Sequence, residues 1–202
     1  MTLMRIVVLD FLSVNCYLLW NKDAKDAIIV DPGSCPEAIE EAVEEEKLAP
    51  KAVFLTHAHV DHISAVPQIC KKYGIPVWLN QPDLCLYSSP HNALKPWMDA
   101  PEGLPEPVAE CPNTGMDFKI IHTPGHTPGG ACFYFPKDGF VLTGDTLFKG
   151  TYGRTDFPGG DEDAIFKSIR EKLLTLDANV IVHPGHGPST SIGKERSNPL
   201  FR

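Results

Sequence analysis

The apolar residues of this chain fall into short runs with two different spacings. Residues 6–9, 16–20 and 27–31 are alternating or continuous apolar runs of strand length, and Asp31-Pro32-Gly33 closes the third with a turn signal. A strand-rich opening is predicted, with a meander as its simplest form. Residues 36–47 begin on a proline and bring Ile39, Ala42 and Val43 onto one face, which predicts a helix. Residues 52–56 read as a buried strand. After them Ile63, Val66, Ile69 and Cys70 form a helical stripe through Tyr73, closed by Gly74, and residues 76–79 read as another short strand. The stretch 81–112 is rich in proline and keeps no period, so it is expected to be an irregular connection with one short helix near Asp83, bordering a substrate entrance. Strands are predicted again at 118–122, 130–135 and 140–143, then a helix at 161–174 and a last strand at 179–182. Strands and helix thus come twice in order. That pattern predicts an α/β chain of two packed sheets with helices outside them, in one domain over residues 1–202.

Composition narrows the classes of function. The chain has 202 residues, 43% of them hydrophobic, which excludes a disordered or collagenous protein. At this length folding hides about 70% of the unfolded chain's surface, so metal ions are expected to serve chemistry rather than to hold the fold. With 18 Lys+Arg against 26 Asp+Glu the formal charge is −8, and the densest charged run, 40–47, is acidic. Nucleic acid is therefore not an expected partner. Residues 1–20 are apolar but interrupted by Arg5, Asp10 and Asn15, too soon for a membrane span or an export signal. A cytoplasmic location without membrane contact is expected, with Cys16, Cys35, Cys70, Cys85, Cys111 and Cys132 as reduced thiols packed like small apolar residues.

The chemistry concentrates at Thr56-His57-Ala58-His59-Val60-Asp61-His62, which sets three imidazoles and a carboxylate at the end of a predicted strand. A single histidine in a loop is ordinarily just a satisfied polar residue. Four metal-ligand residues at this spacing are another matter. If extended backbone persists, His57 and His59 project to the same side, while Asp61 and His62 fall where the chain turns into the next helix. A pair of zinc-like sites needs further ligands from turns elsewhere, and the chain supplies them: His126 in Thr123-Pro124-Gly125-His126-Thr127-Pro128-Gly129-Gly130, Asp145 in Thr143-Gly144-Asp145-Thr146, and His186 in Pro184-Gly185-His186-Gly187-Pro188. Gly125, Gly144 and Gly185 are expected to serve backbone geometry. His122 and His183 are read as supporting or structural residues and His91 as exposed.

In order and approximate spacing, THAHVDH, TPGHTPGG, TGDTLF and PGHGP resemble the metallo-β-lactamase superfamily, and within it the hydroxyacylglutathione hydrolase (glyoxalase II) branch. The resemblance spans essentially the whole chain. Segments 147–161 and 190–199 look like those of small single-domain bacterial members. The resemblance implies a four-layered αββα sandwich of two mixed sheets flanked by helices. It implies that His57, His59 and His126 bind one metal ion, that Asp61, His62 and His186 bind a second, and that Asp145 bridges them. Two divalent ions, zinc first and iron or manganese as alternatives, would share a water, lower its pKa and direct the hydroxide at an acyl carbonyl, with Asp61 as a secondary proton acceptor. A small-molecule thioester such as S-lactoylglutathione is the implied substrate, cleaved to D-lactate and glutathione, because its thiolate leaves readily. Arg154 matches the family's basic residue for the glutathione carboxylate. The chain departs from the family in three ways: Asp156 and Pro188 replace two tyrosines, and with sixteen residues after His186 no carboxy-terminal helical domain is expected. Three rivals share the pattern: a persulfide dioxygenase with one iron on His57, His126 and Asp145, an acyl-homoserine lactonase, and a metal-binding module without activity. A true β-lactamase is disfavoured by the missing export signal and by Asp145 as the bridge.

Overall fold

A computed structural model describes residues 1–9 and 12–202. The chain divides into two compact units, Met1–Met116 and Asp117–Arg202.

In the first unit, β1 (Thr2–Val8), β2 (Asn15–Asn21) and β3 (Asp26–Val30) form an antiparallel meander. The helix α1 (Pro36–Glu45) then carries the chain over to β4 (Ala49–Phe54), parallel to β3. A parallel neighbour requires such a crossover. After α2 (Val60–Ile63) and α3 (Val66–Tyr73), β5 (Val77–Trp78) joins β4 in parallel, completing the sheet order β1-β2-β3-β4-β5. β2 and β3 are buried along nearly their whole length, which is why they read as continuous apolar runs. Leu18, Ile29 and Val53 pack with Ile39, Ala42 and Val43 of α1 and with Val66 and Ile69 of α3 in one core. Gly74 ends α3 in the left-handed region, at φ 64, and its N–H bonds the Cys70 carbonyl. The first strand begins at Thr2, before the predicted 6–9 run. Pairing with β2 recruits those half-exposed residues, which have no burial signal of their own. Near Asp83 the expected short helix is a 3₁₀ turn, Gln81–Asp83, leading into α4 (Leu84–Tyr87).

In the second unit, β6 (Lys119–His122), β7 (Ala131–Phe135) and β8 (Phe140–Gly144) run antiparallel in sequence. A two-stranded ribbon follows, β9 (Leu147–Phe148) with β10 (Thr151–Tyr152). Two-residue strands carry no period, so nothing in the sequence marks them. The Asp161 side chain caps α5 (Glu162–Ser168), accepting from Ala164 N–H at 2.9 Å, and the helix continues as a π turn over Ile169–Leu173. The crossover sets β11 (Ile181–Pro184) parallel to β8, and β12 (Thr190–Ser191) closes the order β12-β11-β8-β7-β6. α6 (Ile192–Arg196) follows directly. Ile165, Ile169 and Leu173 pack on Val141, Val182 and Ile192 beneath them. The α/β expectation of two mixed sheets with helices is met.

Cys16, Cys70 and Cys132 are buried and Cys35 half-buried, but Cys85 and Cys111 are exposed rather than packed. No helix among the described residues is long and apolar enough to cross a membrane.

Candidate metal centre

Each unit presents part of the predicted ligand set beyond the carboxyl ends of its parallel strands, where strand backbone stops and side chains can converge. In the first unit the paired strands are β3 and β4. Asp31 follows β3 directly, and its carboxylate organises the histidine run 25 residues later. Its Oδ1 accepts from Thr56 N–H at 2.8 Å, and its Oδ2 accepts from the Thr56 hydroxyl at 2.6 Å and from His62 Nδ1–H at 3.0 Å. With the Thr56 proton committed to Asp31, the hydroxyl oxygen accepts from His57 Nδ1–H at 3.0 Å. Both rings are thereby fixed with Nε2 as the atom presented to a metal ion. Ligand atoms of Asp31, His57 and His62 lie within 4.8 Å of one another, and all three residues are buried. The rings of His57 and His59 meet edge to face at 5.0 Å, and His62 Nε2 lies 3.8 Å from Asp61 Oδ2. Asp31 holds a left-handed backbone, φ 53, a conformation that costs a non-glycine residue about 1 kcal/mol or more.

In the second unit β8 and β11 end side by side. The Gly185 N–H donates to the Gly144 carbonyl at 2.8 Å, so the residues that precede His186 and Asp145 are stitched together. Asp145 Oδ2 lies 3.4 Å from His186 Nε2 and 3.5 Å from His126 Nε2. His126 Nδ1–H donates to the Arg154 carbonyl at 2.7 Å, which turns its Nε2 toward Asp145. The Thr123 and Thr146 hydroxyls bond at 2.9 Å and tie the His126 turn to the Asp145 turn.

These residues fit metal ions on two observations. Donor atoms each about 2.1 Å from a tetrahedral zinc lie roughly 3.4 Å apart. The Asp145 contacts of 3.4 and 3.5 Å match that separation and exceed an ordinary charge-assisted hydrogen bond. The second observation is the backbone around the ligands. A Cβ on Gly33 would stand 1.7 Å from the Asp61 carbonyl oxygen, and one on Gly153 would stand 1.9 Å from that of Asp145 and 3.0 Å from His126 Nδ1. Only glycine fits at either place.

The remaining residues singled out in the sequence sort by their partners. Arg154 forks onto Asp156 with Nε and Nη2 at 2.7 Å each, and its guanidinium stacks on Phe157 at 3.8 Å. The fork raises the Arg154 pKa and pulls the Asp156 carboxyl down to about 2. His122 donates to the Pro128 carbonyl at 2.9 Å and braces the loop that carries His126. His183 is half-buried, bonded to Ser189 Oγ at 2.7 Å and set edge-on to Phe140; burial pushes it down to about 4. His91 is exposed. Sequence reasoning missed Asp31, Thr56, Gly33 and Gly153 as supports. Asp31 stood there only as a turn residue, and its contact with Thr56 depends on the pairing of two strands far apart in the chain.

The profile of the Metallo-beta-lactamase superfamily matches residues 9–186, and so runs through both units and every one of these ligand positions. The chain belongs to that superfamily. Among superfamily proteins, hydroxyacylglutathione hydrolase GloC of Haemophilus influenzae is 39% identical over 98% of this chain and 97% of its own length. Two solved members match in fold as well. TTHA1623, crystallised in a di-iron-bound form, is 38% identical with TM-score 0.87, covering 98% of this chain and 100% of that one. The BLEG-1 B3 metallo-beta-lactamase is 35% identical with TM-score 0.88, covering 98% and 99%. The superfamily supports a metal-dependent hydrolase with divalent ions at the histidine and aspartate cluster.

Proposed function

We propose that residues 1–202 act as one catalytic domain that hydrolyses a small-molecule thioester of the S-lactoylglutathione type. In this reading His57, His59 and His126 hold one divalent ion, Asp61, His62 and His186 hold the other, and Asp145 serves both. The observation that carries it is the uniform presentation of Nε2 by His57, His62 and His126, each anchored through Nδ1 to Thr56, Asp31 and the Arg154 carbonyl. Metal-ligating imidazoles are held in one tautomer by such an anchor on the other ring nitrogen, which supports the reading. The relative named hydroxyacylglutathione hydrolase supports the thioester over other acyl substrates.

Ions bound there would lower the pKa of a water and polarise the acyl carbonyl. The chain's own residues do the rest. Asp145 holds its carboxylate against His126 and His186, and no side-chain nucleophile is needed. Asp61, beside His62, is proposed to accept a proton from the attacking water, secondary to its part as a ligand. Arg154 is the residue proposed to meet an anion on the substrate. Its fork with Asp156 leaves Nη1 for that purpose and weakens the attraction. Zinc is the first candidate metal, and the di-iron relative supports iron as the second.

A second reading, β-lactam hydrolysis, is favoured by the BLEG-1 relative despite the sequence arguments against it. One experiment separates the possibilities: metals per chain are counted, and the protein is assayed on S-lactoylglutathione, an acyl-homoserine lactone, a cephalosporin, and glutathione persulfide with an oxygen electrode. Two ions and thiol release without oxygen uptake are expected. Oxygen consumption with one iron per chain, or cephalosporin turnover far above thioester turnover, would overturn the assignment.

A further inference from the structure

The two peptide groups that flank Ala58, between His57 and His59, are each held by a side chain from the proline-rich stretch. Ala58 N–H donates to Asp83 Oδ2 at 3.0 Å, and the Ala58 carbonyl accepts from Asn92 Nδ2 at 2.7 Å. Asp83 and Ala58 are completely buried, and Asn92 is 4% exposed. These bonds lie past the end of β4 at Phe54 and before the start of α2 at Val60, outside any ladder or helix. Each holder is fixed by its own backbone: Asp83 N–H bonds the Asn80 carbonyl at 3.1 Å, and Asn92 N–H bonds the Ser89 carbonyl at 3.1 Å.

A buried carboxylate accepting from a backbone N–H makes a charge-assisted bond, stronger than a neutral acceptor would make. What the pair accomplishes is orientation. In extended backbone the two peptide planes on either side of residue i+1 decide whether the side chains of i and i+2 face one way, and here those side chains are His57 and His59, with rings 5.0 Å apart at 86°. Rotation of the peptide before Ala58 is blocked at its N–H and rotation of the peptide after Ala58 at its carbonyl, by two different residues.

We propose that Asp83 and Asn92 are positioning residues that preset His57 and His59 for one metal ion. The proposal rests on the dinuclear reading only in taking those two histidines as ligands. Loss of either holder weakens that ion by the 10- to 100-fold typical of residues that orient metal ligands, and leaves the other ion largely unaffected. Asp83→Asn keeps an acceptor oxygen and restores most of the affinity.

The test is a zinc titration of the metal-stripped full chain in competition with a chromophoric chelator, with folding followed by circular dichroism and melting temperature. Asp83→Ala, Asn92→Ala and Asp83→Asn are compared with wild type and with Tyr87→Phe. The last variant removes a hydrogen bond to the Pro105 carbonyl in the same stretch without touching Ala58. Weakening of one ion in the alanine variants, rescue in Asp83→Asn and none in Tyr87→Phe is the expected result. Wild-type affinities in folded Asp83→Ala and Asn92→Ala overturn the proposal, as does a loss equal to that of Tyr87→Phe. If Asp83→Ala does not fold, Asn92→Ala and Asp83→Asn decide alone. Two ions in wild type with unchanged variants defeat the positioning role by itself, whereas no zinc in wild type defeats the dinuclear reading and this proposal with it.

Discussion

Gly153→Ala isolates the backbone cradle of the second unit. The added Cβ would lie 1.9 Å from the Asp145 carbonyl oxygen, 2.9 Å from its carbon and 3.0 Å from His126 Nδ1. Ordinary carbon contacts begin near 3.5 Å, so either the Asp145 turn or the segment bearing Gly153 must retreat by roughly 1.5 Å. The next residue supplies the carbonyl that anchors His126 at 2.7 Å, so the retreat also loosens that ring. Losing the hydrogen bond costs about 1 kcal/mol of stability and accommodating the overlap about 1–3 kcal/mol more, together roughly 5–15 °C in a domain of this size. A ligand displaced by about 1 Å costs on the order of 100-fold in rate. Gly150→Ala is the matched control. Its Cβ would meet nothing within 4 Å, but its φ of 82 penalises alanine by about 1–2 kcal/mol. The assay is metal content by elemental analysis, kcat/KM on S-lactoylglutathione and melting temperature for both variants. Gly153→Ala should lose metal and turnover along with stability, and Gly150→Ala should lose stability alone. Wild-type metal content and activity in Gly153→Ala would refute the cradle argument.

Other outcomes follow from particular contacts. Asp31→Ala removes the acceptor for His62 Nδ1 and Thr56, and metal affinity measured by chelator competition should fall about 10- to 100-fold with the protein still folded. Asp145→Ala should abolish turnover and lower metal content; retained activity would remove Asp145 from the site. Asp156→Asn weakens the fork on Arg154, so KM for an anionic thioester should fall while KM for an uncharged one stays put. His183 titrates near 4 in the folded chain and near 6.5 when unfolded, so the unfolded chain binds the extra proton between those values. Its contribution is present above pH 6.5 and drains away as pH falls toward 4, by about 1–2 kcal/mol once partial solvent access is allowed for. Urea denaturation of metal-free His183→Gln across that window should show a flatter pH dependence than wild type.

The parts of the site legible in sequence were contiguous or bracketed by turn residues. The 56–62 run declares itself because its ligands are neighbours, and His126, Asp145 and His186 each stand among glycines and prolines or just past a strand. What holds them was not legible, because it comes from pairing across distance. Asp31 reaches Thr56 only when β3 and β4 lie parallel, and the Arg154 carbonyl reaches His126 only after the β9–β10 ribbon has turned the chain back. The fold follows the same division. β2 and β3 carry continuous apolar runs and α1 a helical period, whereas β1 is recruited by pairing and the ribbon by a turn. The 81–112 stretch looked featureless because its contribution is side chains buried one at a time, Asp83 and Asn92 among them.

The most direct measurement is an anomalous difference map at the zinc edge from crystals of the full chain grown with excess zinc. Two peaks are expected, one against His57, His59 and His126 and the other against Asp61, His62 and His186, with Asp145 touching both. Density for a single ion, or none beside Asp145, would contradict the account.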